Sequence, residues 1–374
     1  MENRYKALSN AIIFTGNEKL TGRTILIEDK HIAGIVDSNH LTPGTEIIDC
    51  SGYLVSPGFI DLQIAGAGGH LFSADPSSET LRSIAESITA TGTTSFLIVL
   101  PTNSPDVYRK SIRAIKANTH PTVLGLHLEG PYISMVKRGA HMTEYISKPD
   151  RREIESLLEE AEGVIKMITL APEVCTADII KLILKYNVVV CAGHSNATFV
   201  QAINGFNWGI RSTTHLFNAM SAFHHRDPGL PGATFQAGEV FSSIVADGIH
   251  VDYNTLSIAK KIMNERLYLI SDAVEENDKG PYQHVRQKDR FTLPDGTLSG
   301  SLLTLMKAVQ NCVEKAGIPP DESLRMASLY PARLMNLTDR GKIETGLKAD
   351  LVVFNENFEV KIVIKDGVIR HKMV

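Results

Sequence analysis

The sequence predicts an α/β protein in which a TIM-type (β/α)8 barrel carries a small β-sandwich built from both chain ends. Three observations support this prediction. Eight short apolar runs alternate with helix-like or polar segments through the middle of the chain. Both ends instead contain strand-like runs without helical periodicity. Polar residues suited to catalysis follow several apolar runs, at the strand ends where a barrel has its active site.

The β-sandwich is predicted from residues 1–55 and 346–374, with the barrel at 56–345. Because two β-rich ends flank a middle of different texture, we expect them to assemble into one small domain. The strand-like runs lie at 11–16, 24–29 and 31–36, and then at 349–354, 359–364 and 367–370.

The barrel prediction depends on the number and spacing of the apolar runs. Helices are expected between them at 77–91, at 151–162 after an Asp150 cap, and at 176–187. Eight strands with crossover helices fit a closed barrel better than an open doubly wound sheet. The expected strands are 55–63, 94–100, 122–128, 164–170, 188–193, 211–215, 241–247 and 267–271.

Composition restricts the class of partner. A net charge of -4 argues against general attraction to nucleic acid or anionic lipid. No run reaches the roughly 18 apolar residues of a membrane span. The four cysteines lie far apart and form no Cys-x-x-Cys pair, which favours a reducing, cytoplasmic setting. We therefore expect a small-molecule partner, with no nucleic acid and no membrane.

Two histidines follow successive predicted strands. His194 and His215 are separated by a helix-like segment at 197–207, so a right-handed crossover would bring the two strand ends close together. Two imidazoles there can share one metal ion. Strand-end histidines also serve simply to satisfy hydrogen bonds in loops, so the pair alone leaves both interpretations open.

Glu129, at the end of the third strand, completes a three-ligand set with these histidines. One carboxylate and two imidazoles leave an open position on Zn²⁺ or a similar ion, and such an ion lowers the pKa of its bound water to about 7. Asp272, after the last strand, is placed to take a proton and return it to a leaving group. Capping a helix or loop is the alternative role for Asp272.

The loop at 217–229 concentrates cationic groups in an otherwise slightly acidic chain. Backbone N–H groups of Asn218 and Ala219, with Arg226, are candidates for binding a phosphate, and His250 is a second candidate contact. A solvated loop is the alternative. Glycines at 66–69 lack the Gly-Lys-Ser/Thr of a P-loop, and neither a Gly-x-Ser-x-Gly nor a His-Glu-x-x-His motif occurs.

Six segments carry a resemblance to a known family. In their sequences and order, the chain resembles the amidohydrolase superfamily and, within it, the branch that deacetylates amino sugar phosphates. The segments are Ser-Pro-Gly-Phe-Ile-Asp at 56–61, His-Leu-Glu-Gly-Pro-Tyr at 127–132, Ala-Gly-His-Ser at 192–195, Thr-His-Leu-Phe-Asn-Ala-Met at 214–220, Ala-Asp-Gly-Ile-His at 246–250 and Ile-Ser-Asp-Ala at 270–273.

The resemblance implies a role for each matched residue. A metal would be held by Glu129, His194 and His215, Asp272 would act as general base and then acid, and His141 would polarise the acetyl carbonyl. A homodimer or homotetramer is implied, because in this family a neighbouring subunit completes the phosphate site, with Arg226 and His250 sharing that duty. The implied substrate contacts are Ala140, His141, Asn218, Ala219, Arg226, His250, Leu298, Ser299 and Gly300.

One departure from the superfamily pattern bears on metal number. Many amidohydrolases carry His-x-His after the first strand, whereas this chain has Gln63-Ile64-Ala65. Neither Gln63 nor Ala65 is a good ligand for a borderline cation. We therefore expect one divalent ion per subunit, with Zn²⁺ as the expected metal and Fe²⁺, Co²⁺, Ni²⁺ or Mn²⁺ as alternatives.

The implied reaction is hydrolysis of the acetamide of N-acetylglucosamine 6-phosphate, giving glucosamine 6-phosphate and acetate, in amino sugar catabolism or recycling. The galacto epimer is an alternative substrate that the sequence does not distinguish. A cyclic amidohydrolase, which commonly uses two metals, is disfavoured by Glu129 and Gln63. A non-catalytic barrel is disfavoured because the three ligands and Asp272 are all present.

Overall fold

A computed structural model describes residues 5–37, 41 and 44–373 of the chain. Parts of the predicted sandwich, at 1–4, 38–40, 42–43 and 374, lie outside these residues. The chain divides into two compact units. The first comprises Met1–Asp61, Glu86–Ser95 and Thr304–Val374, and the second comprises Leu62–Ala85 and Phe96–Leu303.

An eight-stranded parallel sheet forms the barrel, and each strand pairs with the next along the chain. The ends of the sheet meet through a parallel bridge between Ile64 and Ala273, and the Asp272 N–H donates to the Gln63 carbonyl at 3.0 Å. The sheet therefore closes at the carboxyl ends of its strands, and the predicted fold class is confirmed. The strands are Phe59–Ile64, Thr93–Pro101, Val123–Glu129, Ile165–Leu170, Val189–Ala192, Ser212–Thr213, Phe241–Ile244 and Leu267–Leu269.

Helices follow the strands with recognisable start signals. Asp150 caps its helix as predicted, accepting from the N–H groups of Arg152 and Glu153. Thr198 and Gln201 form a reciprocal capping box. The α-helices are Ser78–Thr89, Pro105–Lys116, Arg151–Ala161, Ala177–Leu184, Phe199–Trp208, Gly229–Gln236, Tyr253–Met263, Leu305–Glu314, Pro320–Ala327 and Leu329–Leu334.

Shorter elements lie in the connecting loops. The segment after the last barrel strand contains a small antiparallel pair, Val285–Arg286 with Phe291–Thr292, and Gly66–Ala67 pairs with His70–Leu71. Single 3-10 turns occupy Met135–Lys137, Thr143–Tyr145, Pro172–Val174 and Asn264–Arg266. Within the part of the chain that the structure describes, no helix is long and apolar enough to cross a membrane.

Two further sheets belong to the first unit. In one of them, strands from opposite chain ends pair directly, since Leu351–Phe354 runs antiparallel to Leu54–Pro57. Leu8, Ile25, Val55 and Val353 are among the buried side chains of their common core. The first sheet orders His31–Asp37, Arg23–Glu28, Tyr5–Ser9 and Glu46–Asp49, and the second orders Val368–Lys372, Val360–Lys365, Leu351–Phe354, Leu54–Pro57, Ile12–Phe14 and Lys19–Leu20.

A buried ion pair lies in this unit. The Lys365 ammonium is fully buried and donates to Asp350 Oδ2 at 2.8 Å, while the Asp366 N–H donates to Asp350 Oδ1 at 2.9 Å. The Arg340 guanidinium lies 3.8 Å from the same carboxylate. Burial lowers the pKa of Lys365, although Asp350 opposes that shift. Asp350 is therefore the nearest compensating charge for the buried Lys365 ammonium.

We expect Asp350→Asn to lower the free energy of unfolding by about 3–5 kcal/mol, because it removes the nearest counter-ion of the buried Lys365 and leaves Asp366 Oδ1 at 3.7 Å. Urea denaturation of the variant and the wild type measures the difference. Glu359→Gln is the control, since Glu359 pairs with Lys361 at an exposed site. Its expected loss is below about 1 kcal/mol. Equal losses in the two variants would contradict the role of burial.

Candidate metal centre

A cavity of ≈ 250 Å³ opens at the carboxyl ends of the barrel strands. Its walls come from the ends of several strands and the loops that follow them, so residues far apart in sequence face one another. The titratable side chains at its surface are those of Glu129, His141, His194, His215, His250, Asp272, Tyr282 and His284.

The Glu129 carboxylate and two imidazoles converge at the floor of this cavity. Glu129 Oε1 lies 3.3 Å from His194 Nε2 and 3.1 Å from His215 Nε2, and the two Nε2 atoms are 3.1 Å apart. All three residues are buried. The structure thus brings together the three residues that strand-end spacing selected as metal ligands.

Backbone carbonyls orient both imidazoles. His194 Nδ1 lies 3.0 Å from the Lys137 carbonyl oxygen, and His215 Nδ1 lies 3.0 Å from that of Asn218. Because a carbonyl only accepts, each Nδ1 carries the proton and each Nε2 presents a lone pair. Two lone pairs and a carboxylate oxygen directed at one point are the donor set of a transition-metal site, with carbonyls fixing the ligand tautomers.

Three residues of the site are also unusual in backbone conformation. His194, His215 and Asp272 have φ values of 47°, 40° and 52°, in the left-handed region that few residues other than glycine occupy. Such conformations persist where surrounding structure imposes them, and they concentrate at functional sites. The turns after the fifth, sixth and eighth strands therefore share a left-handed backbone conformation at the residue whose side chain lines the cavity.

His141 joins the same cluster from a loop. Its Nε2 lies 3.5 Å from Glu129 Oε2, and its ring centroid is 4.2 Å from that of His194. One ligand atom from each of Glu129, His141 and His194 falls within 4.8 Å of the others. Distance alone therefore permits a second ligand combination, and the hydrogen bonds of His141 must distinguish the two.

Burial and the neighbouring imidazoles act in opposite directions on the pKa of Glu129. Burial alone would raise this pKa, but the surrounding imidazoles of His141, His194 and His215 hold it well below its ordinary value. The carboxylate therefore stays ionised. An ionised Glu129 supplies the negative charge that a divalent cation needs in this apolar cavity.

Gln63 connects the ligand cluster to Asp272. Its Nε2 donates to Glu129 Oε1 at 3.0 Å and to Asp272 Oδ1 at 2.9 Å. The Asp272 carboxyl is partly open to the cavity, yet burial and then the charge of Glu129 raise its pKa. The sequence predicted only that Gln63 is a poor ligand, whereas the structure shows it bridging two carboxylates.

The predicted substrate contacts divide into two groups. Arg226 is exposed in its loop, where its N–H donates to His224 Nδ1 at 3.3 Å, and it does not line the cavity of its own chain. His250 does line the cavity, and its Nδ1 lies 2.6 Å from Asp247 Oδ2. The cavity also includes the other predicted contacts, Ala140, His141, Asn218, Ala219, Leu298, Ser299 and Gly300.

Three residues near the site were not predicted from the sequence. Tyr282 and His284 come from the segment after the eighth strand and line the cavity. Burial lowers the pKa of His284 to about 4, so its imidazole is neutral at pH 7. Thr102 follows the second strand and contacts His141 from behind. Thr102 could have been predicted, because it follows the second strand as the other candidates follow their strands. No sequence pattern indicates Tyr282 or His284.

The barrel and its cluster of candidate metal ligands define a class. Residues 54–370 match the model of the amidohydrolase family, and the chain belongs to that family. Among its relatives is the N-acetylglucosamine-6-phosphate deacetylase of Haemophilus influenzae, 33% identical over 96% of this chain and 98% of the relative. Within the amidohydrolases, the chain is therefore a member of the N-acetylglucosamine-6-phosphate deacetylase group.

Solved structures agree with this assignment. The N-acetylglucosamine-6-phosphate deacetylase from Pasteurella multocida superposes with a TM-score of 0.94 at 32% identity, covering 97% of this chain and 98% of that one. A mutant of the Mycobacterium smegmatis enzyme, in complex with N-acetyl-D-glucosamine-6-phosphate, gives a TM-score of 0.91 at 26% identity, covering 98% and 99%. Each of the two comparisons covers at least 97% of both chains.

Proposed function

We propose that this protein hydrolyses the acetamide of N-acetylglucosamine 6-phosphate, giving glucosamine 6-phosphate and acetate. The observation that carries the proposal is the convergence of Glu129, His194 and His215 beside the Asp272 carboxyl, which Gln63 links to Glu129. A Lewis-acid site next to a proton carrier is suited to hydrolysing an unactivated amide. The group to which the chain belongs agrees with that chemistry.

In this proposal, Glu129, His194 and His215 hold one divalent ion, with Zn²⁺ as the expected metal. The ion supplies Lewis acidity that activates water and polarises the acetyl carbonyl. Gln63 supports a single ion, because its amide donates hydrogen bonds to the surrounding carboxylates and presents no lone pair from nitrogen. Gln63 therefore occupies a position at which a second ion would need a metal-binding side chain.

Asp272 and His141 carry the remaining chemistry. Asp272 shares the Gln63 amide with Glu129 and so lies beside the ligand set, where it takes a proton from the attacking water and then delivers it to the departing nitrogen. His141 donates a hydrogen bond to the acetyl oxygen as negative charge develops there. Proton return is essential, since an unprotonated amine leaves poorly.

The sugar is proposed to lie against Ala140, Asn218, Ala219, His250 and the segment 298–300, all at the cavity wall. Because Arg226 is exposed and outside this cavity, we propose that it reaches the phosphate bound in a neighbouring subunit. That arrangement needs a homodimer or a homotetramer. The setting proposed is cytoplasmic amino sugar catabolism or recycling, where phosphorylated amino sugars are found.

The decisive test is a deacetylation assay on the metal-loaded protein. We expect kcat/KM for N-acetylglucosamine 6-phosphate to exceed that for unphosphorylated N-acetylglucosamine by at least about 100-fold, because hydrogen bonds to a charged group contribute about 1.5–3 kcal/mol each. N-acetylgalactosamine 6-phosphate is the third substrate and reports epimer preference. Absence of acetate release from all three sugars would refute the proposed function.

Arg226→Ala checks the phosphate contact in the same assay. We expect KM to rise about 10- to 100-fold for the phosphorylated sugar and to stay unchanged for the unphosphorylated one. Arg211→Ala, at another exposed arginine, is the matched control. If both substrates respond equally to Arg226→Ala, the arginine does not contact the phosphate.

A further inference from the structure

The histidines of the cluster differ in what faces Nδ1. His194 and His215 each point Nδ1 at a backbone carbonyl, which can only accept a hydrogen bond. His141 instead points Nδ1 at Thr102, whose backbone N–H donates to it at 3.3 Å and whose Oγ1 lies 2.8 Å away. A backbone N–H can only donate, so the Nδ1 of His141 must be the acceptor.

This contact fixes the tautomer of His141. With Nδ1 accepting, the neutral imidazole carries its proton on Nε2, the opposite of the two carbonyl-bound histidines. His141 Nε2 faces Glu129 Oε2 at 3.5 Å and lies in the cavity wall. A protonated Nε2 cannot ligate a metal but can donate to a substrate oxygen. The hydrogen bonds therefore distinguish His141 from the proposed metal ligands, whereas the distances do not.

The Thr102 hydroxyl has a second acceptor within reach. Its Oγ1 is 3.2 Å from the Glu129 carbonyl oxygen, compared with 2.8 Å from His141 Nδ1. If the hydroxyl proton pointed to Glu129, two lone pairs would face each other across the shorter contact, which is unfavourable. The hydroxyl proton therefore belongs to Nδ1, and Thr102 supplies both donors that hold the imidazole.

Tyr282 anchors this contact from the segment after the eighth strand. Its phenol donates to the Thr102 carbonyl and accepts from the N–H of Met142 at 3.4 Å, the residue after His141. Tyr282 is 3% exposed and belongs to an apolar cluster with Val99 and Phe291. One buried phenol thus ties together the two chain segments that carry Thr102 and His141.

We propose that Thr102 and Tyr282 are positioning residues that hold His141 in its Nε2–H tautomer, with that proton directed at the acetyl oxygen of the substrate. This inference rests on the proposed deacetylase function, in which His141 stabilises the developing oxyanion. It adds two residues outside the proposed metal ligands and substrate contacts to the set that determines turnover. It also gives the segment containing Tyr282 a role in catalysis.

Thr102→Val removes the hydroxyl while keeping the side-chain shape and the backbone N–H. We expect kcat to fall about 10- to 100-fold, with KM changed by less than about threefold and metal content unchanged. The reason is that the hydrogen bond from His141 Nε2–H, which the substitution weakens, forms mainly in the transition state. Thr102→Ser retains the hydroxyl and should recover most of kcat. Thr234→Val removes another fully buried hydroxyl, which bonds the Leu230 carbonyl at 2.8 Å, and should leave kcat unchanged.

A double-mutant cycle separates positioning from a purely structural role. In a His141→Ala background, Thr102→Val should change kcat by less than about twofold, since the group on which it acts is gone. Tyr282→Phe should behave in the same way in that background, and it provides a second route if Thr102→Val folds poorly. Losses that multiply independently of His141 would overturn the proposal.

Nitrogen-15 NMR of histidine-labelled, metal-free protein provides a readout independent of activity. We expect the His141 ring, assigned by its loss in His141→Ala, to show a protonated Nε2, and Thr102→Val to increase the Nδ1-protonated population. An Nδ1-protonated ring in the wild type would overturn the inference. Failure of the deacetylase function would appear separately, as a wild-type protein with the expected tautomer and no acetate release.

Discussion

Asp272→Asn is expected to lower kcat by about three to four orders of magnitude, the upper range for loss of a general acid–base group. An amide neither takes the proton from water nor returns it to the leaving nitrogen, so both halves of the reaction lose their proton carrier. Metal and substrate should still bind, because Asp272 is outside the proposed ligand set. Acetate release, metal content and equilibrium substrate binding measure the three quantities independently.

The surroundings of Asp272 can accept asparagine without a change in backbone or hydrogen bonding. Asp272 has a φ of 52°, and asparagine is among the few residues that tolerate this region. The new amide can accept from Gln63 Nε2 through its oxygen, as Asp272 Oδ1 does now at 2.9 Å. Asp252→Asn, at a helix cap outside the cavity, is the control, with an expected kcat within about twofold of wild type. A kcat for Asp272→Asn within about tenfold of wild type would contradict the assignment.

Much of the barrel could be predicted because its strands are buried on both faces. The run that ends at Leu170 reads as continuous apolar sequence, and the observed strand, Ile165–Leu170, begins within one residue of the predicted 164. Helix starts were equally legible where a capping side chain is present, as at Asp150. Strand ends then indicated His194 and His215, since parallel strands bring their carboxyl ends to one edge.

The parts of the site that could not be predicted depend on contacts without local periodicity. Tyr282 and Thr102 are 180 residues apart, and only packing of the segment after the last strand brings them together. The role of Gln63 was hidden for a different reason, since a bridge between two carboxylates appears only once Glu129 and Asp272 are adjacent in space. Tautomers are likewise set by the atoms that face Nδ1, which the sequence does not specify.

The same contacts explain why a barrel of this kind can be specific about its metal ligands. Four histidine or carboxylate side chains crowd one small volume, and distance alone allows His141 to replace His215. Carbonyls behind His194 and His215, and a donor behind His141, give neighbouring imidazoles opposite proton placements. Backbone groups therefore assign the chemical roles of side chains that are otherwise alike.

Removing the anionic ligand should have the second large effect. We expect Glu129→Gln to weaken binding of the divalent ion by more than about 100-fold, exceeding the 10- to 100-fold typical of changes behind the ligands, and to abolish turnover at stoichiometric metal. The reason is that Glu129 Oε1 contacts both His194 Nε2 and His215 Nε2, so its charge is shared by the whole site. Isothermal titration calorimetry of metal-free protein with Zn²⁺ measures the affinity.

Stoichiometry in the same titration tests the single-ion site. Wild-type protein stripped with a chelator should lose activity and regain it with one equivalent of Zn²⁺ per chain, because Gln63 occupies the first-strand position with an amide that donates to both carboxylates. Glu86→Gln, at an exposed helical glutamate, is the control and should bind metal as the wild type does. A requirement for two equivalents would show that Gln63 does not exclude a second ion, and the bridge it forms would then need another explanation.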